Sequence, residues 1–210
     1  MKRIQLISVL LFCIVLSGCK PVVTFNKPQP EGVDSLTAIP KKLIGRYMGN
    51  DGASCLIIDR NQMILKYDYE VKQLKDSLNW EDMSKEERSK YMVQGDSVVE
   101  HIVDSDTLFV FSEDFALKKY KGYYFISSRY NENSWLVQKL KLQKGILTIG
   151  TISTEDELKT LEKINESPID TTTYQINFSR KQFHEYIDND GFSDVDTFVR
   201  VKVPPYIHKK

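Results

Sequence analysis

Three cysteines, three histidines and two tryptophans are scarce supplies for a chain of 210 residues, and each scarcity excludes something. Cys13 lies inside an apolar leader and Cys19 at its end, so only Cys55 belongs to the body of the chain. A chain that loses Cys13 with that leader and carries a lipid on Cys19 has no intramolecular disulfide. Cys55 sits in "ASCLIID", a strand-like run, and is expected as a buried free thiol. The histidines, His101, His184 and His208, are isolated from one another, and neither H-E-x-x-H nor C-x-x-C occurs. No zinc pattern follows, and no metal or cofactor is expected. Glycine is also sparse, at ten, and forms no G-x-G-x-x-G, no P-loop and no G-x-S-x-G elbow.

Charge of one sign is missing as well. Lys and Arg number 29 and Asp and Glu number 29. Without Lys2 and Arg3 the balance becomes 27 against 29. There is no basic footprint for nucleic acid, and no nucleic-acid partner is expected. Long apolar runs are absent too. Ile4–Leu16 is only thirteen residues, short of the ~20 needed to span a hydrocarbon core as a helix.

What is present begins with that short run. Met1-Lys2-Arg3 supplies positive charge, the apolar stretch follows, and small residues close it. This is the layout of a secretory signal over residues 1–18. Its end, Leu16-Ser17-Gly18-Cys19, resembles the bacterial lipobox. The resemblance implies cleavage before Cys19, a lipid on its sulfur and an acyl chain, such as palmitate, on its new amino group. The lipid bilayer is then a partner, because several acyl chains contribute ~0.8 kcal/mol per buried methylene.

Residues 19–40 contain four prolines and few apolar residues, so they read as a Pro-rich tether. Fully extended at ~3.1 Å per residue, such a segment reaches roughly 60 Å. Residues 41–210 read as a single globular domain, mainly β with short helices. Asn50-Asp51-Gly52 and Asp59-Arg60-Asn61 separate three strand-like runs, "KLIGRYMG", "SCLIIDR" and "QMILKYDYEV". Later runs are "SVVEHIV", "TLFVFS", "FALKKY", "GYYFISSRY", "SWLVQKLKLQ", "GILTIGTI" and "DTFVRVKV". Asp104-Ser105-Asp106, Asn131-Glu132-Asn133 and Lys144-Gly145 are the expected turns among them. Short strands at this spacing predict an antiparallel meander sheet or barrel.

Three segments depart from strand spacing, and each opens with a capping box: Ser84 to Glu87, Thr154 to Glu157, and Ser179 to Gln182. Leu158, Leu161 and Ile164 share one helix face, as do Phe183, Tyr186 and Ile187. Gly191 is the expected stop of the last helix. A weak repeat runs through the whole. Gly45-Arg46-Tyr47 and Gly122-Tyr123-Tyr124 are 77 residues apart, Ser54 and Ser134 are 80 apart, and Ser84 and Thr154 are 70 apart. Two β-β-β-α units fit this spacing, as does the chance recurrence of short motifs in any meander.

Chemistry is harder to locate. His184 and Asp188 stand at i, i+4 on one helix face, while His101 and its neighbour Glu100 point to opposite faces of a strand. In "YIDNDGFSDVDTF" a calcium loop with Gly191 sixth puts Tyr186 first and Thr197 twelfth, where acids are needed, so a turn is expected. The 29 acids leave a glycosidase-like carboxylate pair open. The richest cluster is aromatic: Tyr120, Tyr123, Tyr124, Phe125 and Tyr130. In a strand, one alternating set fills a core, and the other is the candidate lining of a groove for a ligand or partner. Cross-strand aromatic packing is the competing reading.

The segment "FNKPQPEGVDSLTAIPKKLIGRY" from Phe25 to Tyr47 resembles the mature start of uncharacterised lipoproteins of flavobacteria and related Bacteroidota. "GDSVVEHIVDSDTLFVFSEDFALKKYKGYYFISSRYNENSWLVQKL", "SRKQFHEYI" and "GFSDVDTFVR" are similar to the same group. The resemblance implies a diderm envelope and an outer-membrane anchor, and transfers no functional residue beyond Cys19. Surface-exported lipoproteins of that phylum carry acids just after the lipidated cysteine. Here Lys20-Pro21-Val22-Val23-Thr24 follows and the first acid is Glu31, which favours the periplasmic face. The G-x-Y strand opening is similar to that of lipocalin-like barrels. Three functions stay open: a non-catalytic binding or assembly lipoprotein with an envelope protein partner, a carboxylate-dependent hydrolase of envelope or glycan material, and a lipocalin-like carrier of apolar ligands.

Overall fold

In the computed structural model, residues 22–165, 169 and 174–202 are described. The expected signal segment, Cys19 and His208 lie outside the described residues. The chain forms β1 (Thr24–Phe25), β2 (Gly45–Gly49), β3 (Ser54–Ile58), β4 (Gln62–Leu74), α1 (Lys85–Arg88), β5 (Tyr91–Gln94), β6 (Ser97–Val110) and β7 (Phe115–Tyr120). Then follow β8 (Tyr123–Asn131), β9 (Ser134–Gln143), β10 (Ile146–Thr151), α2 (Glu155–Ile164), β11 (Gln175–Ile176), α3 (Arg180–Asp188) and β12 (Asp194–Val201). The fold is mainly β with three short helices, as expected.

All strands belong to one sheet ordered β11-β1-β9-β10-β12-β2-β3-β4-β6-β5, with β8 and then β7 on the other edge of β9. Pairing is antiparallel except for the parallel β1–β11 pair. The sheet curls until β6 meets β7, where Phe109 and Phe115 pack edge to face at 6.0 Å. No ladder joins these strands among the described residues, so the sheet stays open and is not a barrel.

Strand alternation sorts side chains into two cores. The inner core, inside the curl, holds Tyr47, Leu56, Met63, Phe109, Tyr124 and Leu140, among others. The outer core lies between the sheet and helices α2 and α3, and contains Phe25, Phe125, Val137, Leu161, Phe178 and Phe183. Strand β8 is buried on both faces, because Tyr124 and Ile126 point inward while Phe125 points to the helices. That is why "YYFI" is continuously apolar rather than alternating.

All three capping boxes form, with Ser84, Thr154 and Ser179 each accepting from the backbone three residues on. Helix α3 ends differently from expectation. Asp190, not Gly191, takes the left-handed conformation, at φ 59°. Gly191 N–H donates to the Tyr186 carbonyl at 3.0 Å, a six-residue closure that ties off the helix. Gly191 is needed for space, since a Cβ there would lie 2.5 Å from the Tyr186 ring.

Two other expectations change. Asp104-Ser105-Asp106 is no turn. These residues pair with Tyr67, Lys66 and Leu65 within an unbroken β6. Their polarity suits their exposure, since all three are exposed on a stretch of β6 that pairs only with β4, beside the β3–β4 ladder. Residues 22–40 are no free tether either. Val23, Phe25 and Ile39 are buried, and Gln29 N–H donates to the Ser127 hydroxyl. Lys118 reaches in to donate to the carbonyls of Pro28 and Pro30 at 2.8 and 2.9 Å. The prolines thus leave carbonyls open to a side chain, because no strand partner consumes them.

The two stretches of the expected repeat match in strand order alone. Tyr47 and Tyr124 both enter the inner core, and β2-β3-β4 and β8-β9-β10 are both meanders separated in the sheet by β12. The helices do not match. Helix α2 buries Leu161 and Ile164, whereas α1 buries nothing.

Candidate functional site

The five aromatic residues are not brought together. Tyr124 fills the inner core and Phe125 the outer one, so neither lines a groove. Their strand is covered on both faces, which periodicity within one strand does not reveal. Tyr120 packs against the outer core and meets the His184 ring at 5.9 Å. His184 faces Asp188 at 3.3 Å, the expected pairing along α3. Tyr130 is exposed at the rim of a cleft of about 700 Å³ with Val22 and Gln175. Only Tyr123 enters a pocket with convergent charged groups.

Sheet register builds that pocket. On β9, Leu140 points into the inner core, so Lys139 and Lys141 point outward. Lys139 lies opposite Phe125 on β8 and opposite Gly150 on β10. Lys141 lies opposite Thr148 on β10. Residues 189–193, which leave α3, form the upper wall with Asp190 and Phe192. Gly150 permits this approach, since a Cβ there would stand 2.5 Å from the Phe192 carbonyl oxygen. The resulting space is about 460 Å³ and is completed by Gln143, Lys144, Ile146 and Val195.

Its electrostatics are one-sided. The Lys139 and Lys141 ammoniums lie 5.5 and 5.9 Å from the centre of the same Tyr123 ring, and Lys139 also lies 5.6 Å from that of Phe192. Lys139 donates to the Gly191 carbonyl just beyond the C-terminal end of α3, where helix carbonyls favour a cation. Burial lowers its pKa from the usual lysine value, against the opposing pull of Asp190 and Glu157 and with a further push from Lys141. Among the described residues, no ion pair within 4.0 Å includes Lys139, Lys141 or Lys144. The lysines escaped notice in the sequence because "QKLKLQK" reads as a solvated strand edge. The i, i+2 spacing of Lys139 and Lys141, beside an aromatic hairpin, was the available signal.

Other sites resolve differently. The inner core is packed with side chains, whereas apolar carriage in a lipocalin-like manner requires a hollow. A cleft of about 660 Å³ opens beyond it, lined by Val22, Leu108, Phe115, Leu136, Ile152 and neighbours. For the hydrolase reading, Asp51 and Asp196 share the rim of a pocket of about 210 Å³. Asp51 Oδ1, however, accepts from Ala53 N–H, Ser54 N–H and the Ser54 hydroxyl. The Ser54 backbone bond, foremost, holds its carboxyl below the usual range, which suits a turn-former and not a proton donor. Cys55 is half-buried rather than in a core. It points away from Leu56 and lies opposite Met48 and Lys66 on the outer face. His101 is exposed and pairs from β6 to β4 with Asp68 at 2.7 Å, and that hydrogen bond raises its pKa.

No protein-family model matches this chain, and neither a curated protein nor a solved structure matches it.

Proposed function

We propose that this chain is a non-catalytic binding lipoprotein, anchored through acylated Cys19 to the outer membrane and facing the periplasm. The anchoring half of this reading is supported by the lipobox-like Leu16–Cys19 and by the absence of acids before Glu31. The binding half is carried by one observation, the pocket around Tyr123. Its groups are ring faces, ammoniums, an amide and a hydroxyl, which recognise and orient a ligand. Its one carboxylate, Asp190, stands among three lysines. The acid pair Asp51 and Asp196 gives the hydrolase reading little support, since Asp51 is consumed by its turn.

Packing of the segment after Val22 changes what the anchor does. Only Lys20 and Pro21 separate Cys19 from Val22. At up to ~3.6 Å per residue, the acylated cysteine holds the domain within roughly 10 Å of the bilayer instead of 60 Å. Metabolic labelling of the full chain in a diderm host with an alkyne palmitate tests the reading. Wild type is expected to be labelled, membrane-bound and protected from protease added to intact cells. Cys19→Ala is expected to be unlabelled and released. Labelling that survives Cys19→Ala, or digestion of wild type on intact cells, contradicts the anchor or its orientation.

A further inference from the structure

The pocket around Tyr123 has a chemistry narrower than binding in general. Two ammoniums share one tyrosine ring, a third stands on the adjoining turn, and no carboxylate neutralises them within 4.0 Å among the described residues. The charge of Lys141 opposes that of Lys139, and a half-buried ammonium such as Lys139 has lost part of its hydration. An anion between them relieves both penalties. Beside the cations lies an apolar strip. Ile146 and Val199 are cross-strand partners, and Val195 lies opposite Gly150. All three valine and isoleucine side chains are more than two-fifths exposed on the outer face. The ring of Phe192, buried beneath Lys139, closes the inner end.

From this juxtaposition we infer that the pocket binds a soluble organic anion, a carboxylate or phosphate monoester carried on an apolar ring-containing body. The acid group sits between Lys139 and Lys141, with Lys144 adding to the field at the rim. The body lies along Tyr123 toward Ile146 and Val195. The space of about 460 Å³ suits a small molecule of this kind, within the ~300–1,000 Å³ range of ligand pockets. Asp190 at the rim opposes the anion and limits affinity. A phospholipid headgroup presents the same acid chemistry, but its chains require a surface that continues into a bilayer. The solute fits the closed inner end made by Phe192 and the residue 189–193 turn.

This inference rests on the binding-protein reading and leaves the anchor aside, so the two fail separately. Purified full-length protein in detergent is titrated with phenyl phosphate and with 1-naphthoate by calorimetry, and in parallel with phosphatidylglycerol vesicles by flotation. Saturable binding of at least one soluble probe is expected, weakening as salt screens the lysines. Lys141→Gln and Tyr123→Ala are each expected to weaken it about tenfold, the loss of one charge-assisted or ring contact. Asp190→Asn is expected to strengthen it roughly threefold by removing a like charge. Lys141 is exposed, so its variant keeps the wild-type unfolding midpoint and reports on the site alone. No saturation of either probe up to about 10 mM, weaker than any useful small-molecule site, overturns the inference. So does equal affinity in Lys141→Gln and Tyr123→Ala. Lysine-dependent binding to vesicles with none to the soluble probes also overturns it, in favour of a headgroup.

Discussion

At the scale of single residues, Glu157 shows how a buried charge becomes structural. Its side chain is 4 % exposed. One carboxylate oxygen accepts from Ser153 N–H, Thr154 N–H and the Thr154 hydroxyl, and the other from Ser193 N–H. Burial pushes its pKa up, but the backbone bonds from Thr154, Ser153 and Ser193 outweigh it, and the net shift is downward. A carboxyl with a depressed folded pKa contributes fully above its unfolded value, and the contribution disappears as pH falls through the folded one. Glu157→Ala is therefore expected to cost about 3 kcal/mol at neutral pH, because buried N–H groups lose a charged acceptor. Urea unfolding across pH checks this. The gap between wild type and variant should be constant above about pH 5 and shrink below about pH 4. A gap that does not change with pH means the carboxyl has the same pKa folded and unfolded, and refutes the downward shift. The capping box from Thr154 was legible in the sequence. The bond to Ser193, 36 residues away, was not, because nothing local brings that amide to the helix start.

Elements tell a similar story at longer range. Helix α3 was readable from Ser179, Gln182 and the Phe183–Tyr186–Ile187 face. Its end was readable as to place, but Gly191 turned out to matter for space rather than for a left-handed φ. The distinction is measurable by comparison with Gly122, which has φ 87° and nothing within 4 Å of a built Cβ. Gly122→Ala is expected to cost about 1 kcal/mol from backbone strain alone. Gly191→Ala is expected to cost 2 kcal/mol or more (~2–3), because it drives a methyl into the fully buried Tyr186. Equal unfolding midpoints for the two variants refute the steric account. Tyr186 also carries Phe192 at 5.5 Å, so Gly191→Ala should disturb the pocket wall as well. Strand β8 misled in the opposite direction. Its aromatic run has the composition of a binding groove, yet two cores consume Tyr124 and Phe125.

For the whole molecule, the decisive feature is how the segment before β2 is held. Its prolines and polar residues have the composition of a linker, but Lys118 crosses from β7 to bind two of its carbonyls. Burial lowers the pKa of this lysine, with Glu31 and Asp34 pulling the other way. Lys118→Ala is expected to release the Lys27–Asp34 region while leaving the inner core folded. Hydrogen exchange should then rise tenfold or more (about 1.4 kcal/mol) at Gln29 and Glu31 and stay unchanged at Leu56 and Leu140. Unchanged protection at Gln29 and Glu31 would falsify the clamp. The same segment carries Leu36 and Ile39 to the inner core, so its release is local only while those side chains remain packed.

By itself the sequence determined the local features: the three capping boxes, most turns and the strand-rich class. These depend on hydrogen bonds and side-chain periods that close within a few residues, so the information is complete in a short window. Only the tertiary structure decided the open curl of the sheet, the packing of residues 22–40, and the double burial of β8. It also decided the pocket, which joins Tyr123, Lys139, Lys141 and Thr148 to Asp190 and Phe192. The reason is that each of these rests on contacts between residues tens of positions apart. Their partners are chosen by register and by shared burial of apolar surface, and no local pattern records that choice.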